Sequence, residues 1–408
     1  MALAASLSFA AGACAAPRGP AASAESVSDA YVFLDQMMDL YATGTVPRLV
    51  QSFSGGVLGE RHYTSASTYD NAVMIDAYLA QETPEALARA ATIGNALLYV
   101  QAHDPAHDGR LRAEYEPTPL EAPSDVHATD ETSDVGNMAW AGQALVQLYD
   151  ATGDTSYLAG AVEIGDWVQD HCRDTRGAGG YTGGLTAKGK RIRWKSTEHN
   201  IDLYALFTLL ADATGEAEWS TRAAWAERFV EAMWEPKEGR FYTGTTNNGK
   251  TPEGSVRPED VNSWSYLALQ NPRYAASVSW DVANLTVTAN GFSGVSFCEG
   301  DRTGVWFEGT AHLADALELR DAPGDEQQAG EYLHDVEYAQ YNGLNNDGLG
   351  IIAASKNKLS TCEGEFYYAS LHTGATAWFL LAAQRVDPYL PISVHDAAAG
   401  RLPLAAGR

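Results

Sequence analysis

Positive charge is scarce in this sequence: 27 Lys and Arg stand against 53 Asp and Glu, a formal net charge of −26. Such a chain repels phosphate backbones and anionic lipid, which argues against nucleic acid and membrane surfaces as partners and leaves neutral or cationic ligands. Cysteine is also scarce, with four in 408 residues. No Cys-x-x-Cys pair occurs, so no zinc site is indicated and no metal ligands are assigned. Gly-x-x-x-x-Gly-Lys-Ser/Thr, Gly-x-Ser-x-Gly, His-Glu-x-x-His and a strand-anchored Gly-x-Gly-x-x-Gly are all missing, so nucleotide, serine-hydrolase and zinc-protease chemistry lose their usual signatures and no cofactor is expected. Past the N-terminal leader no apolar run is long enough to span a bilayer.

That leader, residues 1–26, begins with the small and apolar residues of a secretory signal, although no Lys or Arg precedes them. Secretion or a cell-envelope location is therefore expected. Cys14 after Ala-Gly-Ala fits lipid attachment, and cleavage near Ala16 is the plainer alternative. Cys172, Cys298 and Cys362 remain after such a cut, an odd number that leaves at least one unpaired. Cys298 and Cys362 both lie in loop-like sequence and could bond in an oxidising compartment.

Residues 27–390 read as one helical domain, with 391–408 as a tail. Ten Trp and twenty Tyr suit a core of polar-tipped rings or a surface on which sugars stack. Helical periodicity alternates between amphipathic segments, such as 28–41, 83–103 and 217–234, and segments apolar on most sides, such as 68–79, 201–210 and 371–383. Segment 272–287 reads as one of the amphipathic helices, and the Gly-rich stretch 177–193 as a hairpin-like insert. Each of the six apolar segments opens on an acid or a histidine: Asp70, Asp134, Glu198, Asp260, Glu308 and His372. These recur at intervals of 64, 64, 62, 48 and 64 residues, the mark of an internal repeat. Twelve helices in six pairs predict an all-α (α/α)6 barrel, a toroid whose inner ring presents six N-termini on one face, with loop or β-hairpin inserts there.

An acid at a helix start is ordinarily a cap, because free N–H groups and the helix dipole favour it there. Asp70, Asp134 and Asp260 fit that reading individually. Glu308 lies between Trp306-Phe307 and Gly309-Thr310, where rings desolvate a carboxyl and raise its pKa, as a proton donor requires. Glu198 and Asp202, four apart, share a helix face and could instead pair with Lys195 or Arg193. His199, His312 and His372 sit in or near first turns, as do Tyr69, Trp140, Trp264 and Trp306, whose rings could stack sugar faces.

Thr68-Tyr-Asp-Asn-Ala72, Asp134-Val-Gly-Asn-Met-Ala-Trp140, Ser196-Thr-Glu-His-Asn-Ile-Asp202, Trp306-Phe-Glu-Gly-Thr310 and His372-Thr-Gly-Ala-Thr-Ala-Trp378 together resemble the six-hairpin glycosidase superfamily. The resemblance implies the toroid and carbohydrate chemistry, most often hydrolysis by two carboxylic acids with inversion. The expectation is a glycoside hydrolase in which Glu308 donates the proton, Glu198 is the second choice, and Asp134 or Asp70 activates water. His199, Asp202, Asp260, Trp264, Trp306, His312, His372, Tyr69 and Trp140 would bind the sugar. A polysaccharide lyase, an N-acylglucosamine 2-epimerase-type isomerase using paired histidines, and a secreted sugar-binding protein are the rivals.

Overall fold

The computed structural model describes residues 22–392. The leader-like sequence through residue 21, with Cys14 and Ala16, and residues 393–408 lie outside the described residues. Among those described there are thirteen α-helices: α1 (Ala24–Asp39), α2 (Gly56–Glu60), α3 (Thr68–Ala80), α4 (Pro84–Ala102), α5 (Val135–Thr152), α6 (Thr155–Cys172), α7 (Thr197–Thr214), α8 (Ala217–Ala232), α9 (Asp260–Leu269), α10 (Ala275–Leu285), α11 (Phe307–Arg320), α12 (Asp325–Asn342) and α13 (Thr373–Gln384). None is long and apolar enough to cross a membrane.

Local signals set the helix ends. Thr83 caps α4 by accepting the Ala86 N–H (3.1 Å), with Pro84 in the first turn. Ser196 caps α7 in the same way, and α5 and α7 stop at Gly153 and Gly215, both in the left-handed region. In α12 the buried positions Ala329, Leu333, Val336 and Gln340 recur at helical spacing, so only one stripe is covered. In α13 every residue from Thr373 to Ala382 is buried, so that helix has no solvent side.

Those two burial patterns decide the architecture. The apolar helices α3, α5, α7, α9, α11 and α13 each pack on the next, and α13 packs on α3, which closes an inner ring. The amphipathic α1, α4, α6, α8, α10 and α12 form the outer layer against it. The chain is an (α/α)6 toroid. Burying Trp378, Phe379, Leu380 and Leu381 contributes roughly 1.5–3 kcal/mol for each apolar side chain.

Segment 272–287 departs from the single helix expected of it. A 3-10 turn at Pro272–Tyr274 leads into α10, and Thr286–Ala289 then pairs as a strand with Phe292–Val295. β-Branched Thr286, Val287 and Thr288 favour the extended form, and Asn290-Gly291, both at positive φ, makes the hairpin turn. The short fourth interval of the repeat has its cause here, since α9 and α10 are only 10 and 11 residues long.

Short strands run directly into inner-helix starts. Ala66–Ser67 precedes α3, Ser133–Asp134 precedes α5, and Leu371–His372 precedes α13 and pairs with Phe53–Ser54. The insert at 177–193 contributes two further strands, Gly184–Leu185 and Arg191–Ile192, beside Ser133–Asp134. Below the ring mouth Trp140, Trp264 and Trp378 pack with centroids 5.4–5.9 Å apart, and Tyr389, arriving after α13, closes on Trp140 at 5.1 Å. The barrel axis is thus filled with rings, and the space above them is a basin.

Candidate active site

That basin has a volume of about 650 Å³ and is bordered by the first turns of all six inner helices. Of the residues singled out from the sequence, Tyr69, Asp70, Asp134, Trp140, Glu198, His199, Asp260, Trp264, Trp306, Glu308 and His372 line it together.

On one side, polar groups from α3, α11 and α13 form a connected chain. The Trp378 indole N–H donates to the Tyr69 hydroxyl (2.7 Å), which donates to Glu308 Oε1 (2.6 Å). Glu308 Oε2 faces His372 Nδ1 at 3.4 Å, and His372 Nε2 meets Asp70 Oδ1 at 3.2 Å. The imidazole lies flat on Phe53, with centroids 4.1 Å apart and planes 3° from parallel, which fixes its tilt. Gly374 permits the approach: a Cβ there would stand 2.5 Å from Asp70 Oδ1. Burial pushes the Glu308 carboxyl up, His372 pulls it down, Asp70 raises it and the Tyr69 hydrogen bond lowers it, for a net rise to about 7. For His372 burial works downward, but the Asp70 charge and hydrogen bond together with Glu308 outweigh it, so its pKa is raised.

On the other side stand α5, α7 and α9. Asp134 caps α5 through the Gly136 N–H (2.9 Å) and faces His199 Nε2 at 3.4 Å, so a cap is also a histidine partner. Glu198 is half-buried and has no hydrogen-bond or ion-pair partner among the described residues. The cations that could have paired with it are used elsewhere or stay apart. Lys195 Nζ is held by the carbonyls of Arg176 (2.7 Å) and Gly179 (2.6 Å) and faces Asp174 at 3.6 Å. Burial and the charges of Asp260 and Asp202 raise the Glu198 carboxyl well above its ordinary range. Asp260 accepts the Val261 N–H (2.6 Å), and burial, followed by the charge of Glu363, lifts it to about 7.

Asp202 and His312 correct the expectation that they touch a bound sugar. Each lies four residues past Glu198 or Glu308, one helical turn deeper, and neither borders the basin. Asp202 is wholly buried and accepts the Tyr389 hydroxyl (3.2 Å). His312 is enclosed by Trp378, Trp264 and Trp306 at 4.3–5.2 Å, with Nδ1 3.2 Å from Glu259, and burial keeps it neutral. Phe307 also turns away, packing edge-on to Phe292 in the core.

Several lining residues were missed from the sequence. Phe53, Glu114 and Trp194 give no periodic signal, because each lies in or beside a short strand. The loop Thr361-Cys-Glu-Gly-Glu-Phe-Tyr-Tyr368 forms one wall, and its density of acids and rings beside a cysteine was a legible signal. Cys362 in that loop is disulfide-bonded to Cys298, next to the wall residue Phe297, while Cys172 is free and buried. Among the described residues no group of three or more His, Cys, Asp or Glu side chains is placed to hold a metal ion.

Solved structures with this architecture span nearly the whole chain. A cellobiose 2-epimerase from Bacillus thermoamylovorans superposes with a TM-score of 0.67 at 10% identity, covering 88% of this chain and 98% of its own. A D-mannose isomerase gives 0.63 at 13% identity over 89% and 98%, and a glycosidase 0.59 at 12% over 90% and 99%. The chain shares their fold. At such identities the likeness speaks for the fold alone, and it bears out the resemblance to the six-hairpin glycosidase superfamily at that level. No protein-family model and no curated protein sequence matches the chain.

Proposed function

We propose that the basin is the active site of a glycoside hydrolase acting on a poly- or oligosaccharide, with Glu198 as proton donor. The observation that carries this reading is the free Glu198 carboxyl, raised by burial and neighbouring acids, at the edge of an aromatic-floored basin. A donor must be protonated near neutral pH and free to reach the glycosidic oxygen. Glu308, the first choice from sequence, meets the first condition, but Tyr69 holds one of its oxygens at 2.6 Å and the other is buried, facing His372 at 3.4 Å without a hydrogen bond, so it is less free to reach a substrate than Glu198. The Asp70–His372–Glu308 group, centred on α13 across the ring from α7, is the natural holder of the attacking water. Proteins solved with this fold include glycosidases, one of them in complex with glucose, which supports a sugar as the ligand.

Glu198→Gln keeps the shape of the side chain and removes its proton, so kcat should fall about 10²- to 10⁴-fold with the fold retained. The assay is release of new reducing ends from an oligosaccharide panel. A Gln variant with wild-type turnover removes Glu198 as donor.

One specific observation favours a sugar epimerase as the second reading. His199 and His372, the two histidines bordering the basin, come from opposed helices, and each carries a carboxylate at Nε2. Two such bases on opposite sides suit proton removal and return at a sugar carbon. Incorporation of solvent deuterium into a sugar C–H, with no new reducing end, would select this reading. A lyase acting on uronates fits poorly, since a basin lined by carboxyls repels them. The Cys298–Cys362 disulfide and the leader-like N-terminus together support work in an oxidising compartment outside the cytoplasm.

A further inference from the structure

Charge in the basin is strongly one-sided. Eight Asp or Glu side chains line it, with His199 and His372 as the only basic ones and no Lys or Arg. Both histidines are already committed, to Asp134 and to the Asp70–Glu308 pair. Arg61 stacks over the Tyr368 ring at 5.4 Å, yet it is not part of the lining. The arginines that pair with acids elsewhere, such as Arg112 with Asp104 and Arg320 with Asp325, belong to the scaffold.

Carboxyl groups are concentrated where Glu198, Asp260 and the wall loop meet, and of these Glu363 and Glu365 are the ones open to solvent. Burial is the first cause that raises Glu198 and Asp260, and repulsion from Glu363 acts on both of them, so the three carboxyls share one region. Glu363 and Glu365 are exposed, and neither has an ion-pair partner among the described residues. The disulfide at Cys362 ties this loop to Cys298, so the two glutamates are presented on a tethered wall.

A second observation is independent of the acids. Trp306 borders the basin at 2% exposure, and its indole N–H has no acceptor among the described groups. Such a buried donor costs free energy unless water or a ligand oxygen satisfies it. Phe297 and Tyr367 stand at 4.6 and 5.6 Å from the Trp306 ring, so an aromatic wall faces the same space as the surplus charge. Rings of this kind accept both the C–H face of a pyranose and a cation.

We propose that the substrate is an oligosaccharide carrying free amines, an amino sugar in its ammonium form, with Glu363 and Glu365 on the wall loop flanking the ammonium groups. This names the substrate class of the hydrolase reading and rests on it for turnover, although not for binding. A monovalent ammonium on a sugar ring supplies the counter-charge that the lining lacks, while the ring carbons lie on the half-buried Phe297 and Tyr367 and a hydroxyl accepts the Trp306 N–H. An N-acetyl group in the same place removes the charge and leaves the glutamates unpaired.

The test is calorimetric binding of two matched pairs of oligomers, at a pH where the amine is protonated: β-1,4-linked glucosamine against its N-acetylated form, and α-1,4-linked galactosamine against its N-acetylated form. In at least one pair the amine form should bind about tenfold or more tightly, a factor worth ~1.4 kcal/mol. The advantage should shrink as salt rises, because exposed charge pairs are screened. The double variant Glu363→Gln/Glu365→Gln should lose the advantage and keep its affinity for the N-acetylated partner. Equal or tighter binding of the N-acetylated form in both pairs, no binding of any amine oligomer, or an advantage that survives the double variant each overturns the proposal. Turnover is read separately. An amine oligomer that binds preferentially and is never cut upholds the amine site and defeats the hydrolase reading, whereas efficient cutting of oligomers with no preference for amines does the reverse.

Discussion

Glu308 ties the basin's electrostatics to the stability of the whole barrel, and Glu308→Gln isolates that link. The glutamine keeps the volume and can still accept the Tyr69 hydroxyl, so the change is chiefly one of titration. In the folded protein this carboxyl titrates at about 7 rather than its ordinary 4.5, with burial the largest cause. A carboxyl whose folded pKa is raised stabilises the fold fully below its unfolded pKa, and that contribution is lost as pH rises through the folded value. At about 1.4 kcal/mol per pH unit, the rise from 4.5 to about 7 corresponds to roughly 3 kcal/mol, all of it shed inside that window. His372, whose pKa is also raised, has the same sign and extends the loss above its unfolded value of 6.5. Asp108, held down at about 2, loses its contribution only at lower pH and does not disturb the comparison. Urea unfolding followed across this range should therefore show the wild-type curve falling more steeply than that of Glu308→Gln, by roughly 3 kcal/mol in total. Parallel curves would refute the burial argument for Glu308.

Two structural perturbations test how the basin is built. The Cys298–Cys362 bond spans a sequence separation of 64, for which chain entropy gives roughly 4 kcal/mol of stabilisation. Cys362→Ser should lower the melting temperature accordingly and make the protein indifferent to reductant, while the wild type melts lower once reduced; a wild type whose melting is unchanged by full reduction would contradict this. Gly374→Ala would place a Cβ 2.5 Å from Asp70 Oδ1 and 3.0 Å from His372 Cε1, so it should cost ~1–3 kcal/mol by overpacking and impair activity. A variant as stable and active as the wild type would mean that Asp70 and His372 do not need this approach.

How much of the site was legible depended on where each residue stands relative to the helix period. Asp70, Asp134, Glu198, Asp260, Glu308 and His372 were found because each opens an apolar helix at a regular repeat, and the packing of α13 on α3 closes those openings into a ring. Asp202 and His312 were misplaced because a shared helix face says nothing about depth: one turn carries a side chain from the basin into the packed rings beneath. Phe53, which sets the plane of His372, was invisible, since the pairing of Phe53–Ser54 with Leu371–His372 joins residues more than three hundred positions apart.

Residue order alone encodes the alternation of amphipathic and all-round apolar helices, and with it the toroid and the face on which acids and histidines gather. Periodicity and capping act over a few residues, so a linear reading recovers them. Tertiary structure alone decided the partners: His372 set between Asp70 and Glu308, Lys195 drawn off to Asp174, and Glu198 left free above the aromatic floor. Charge and burial depend on distances of a few ångströms across the ring, and those distances exist only once six separate segments have closed on one another.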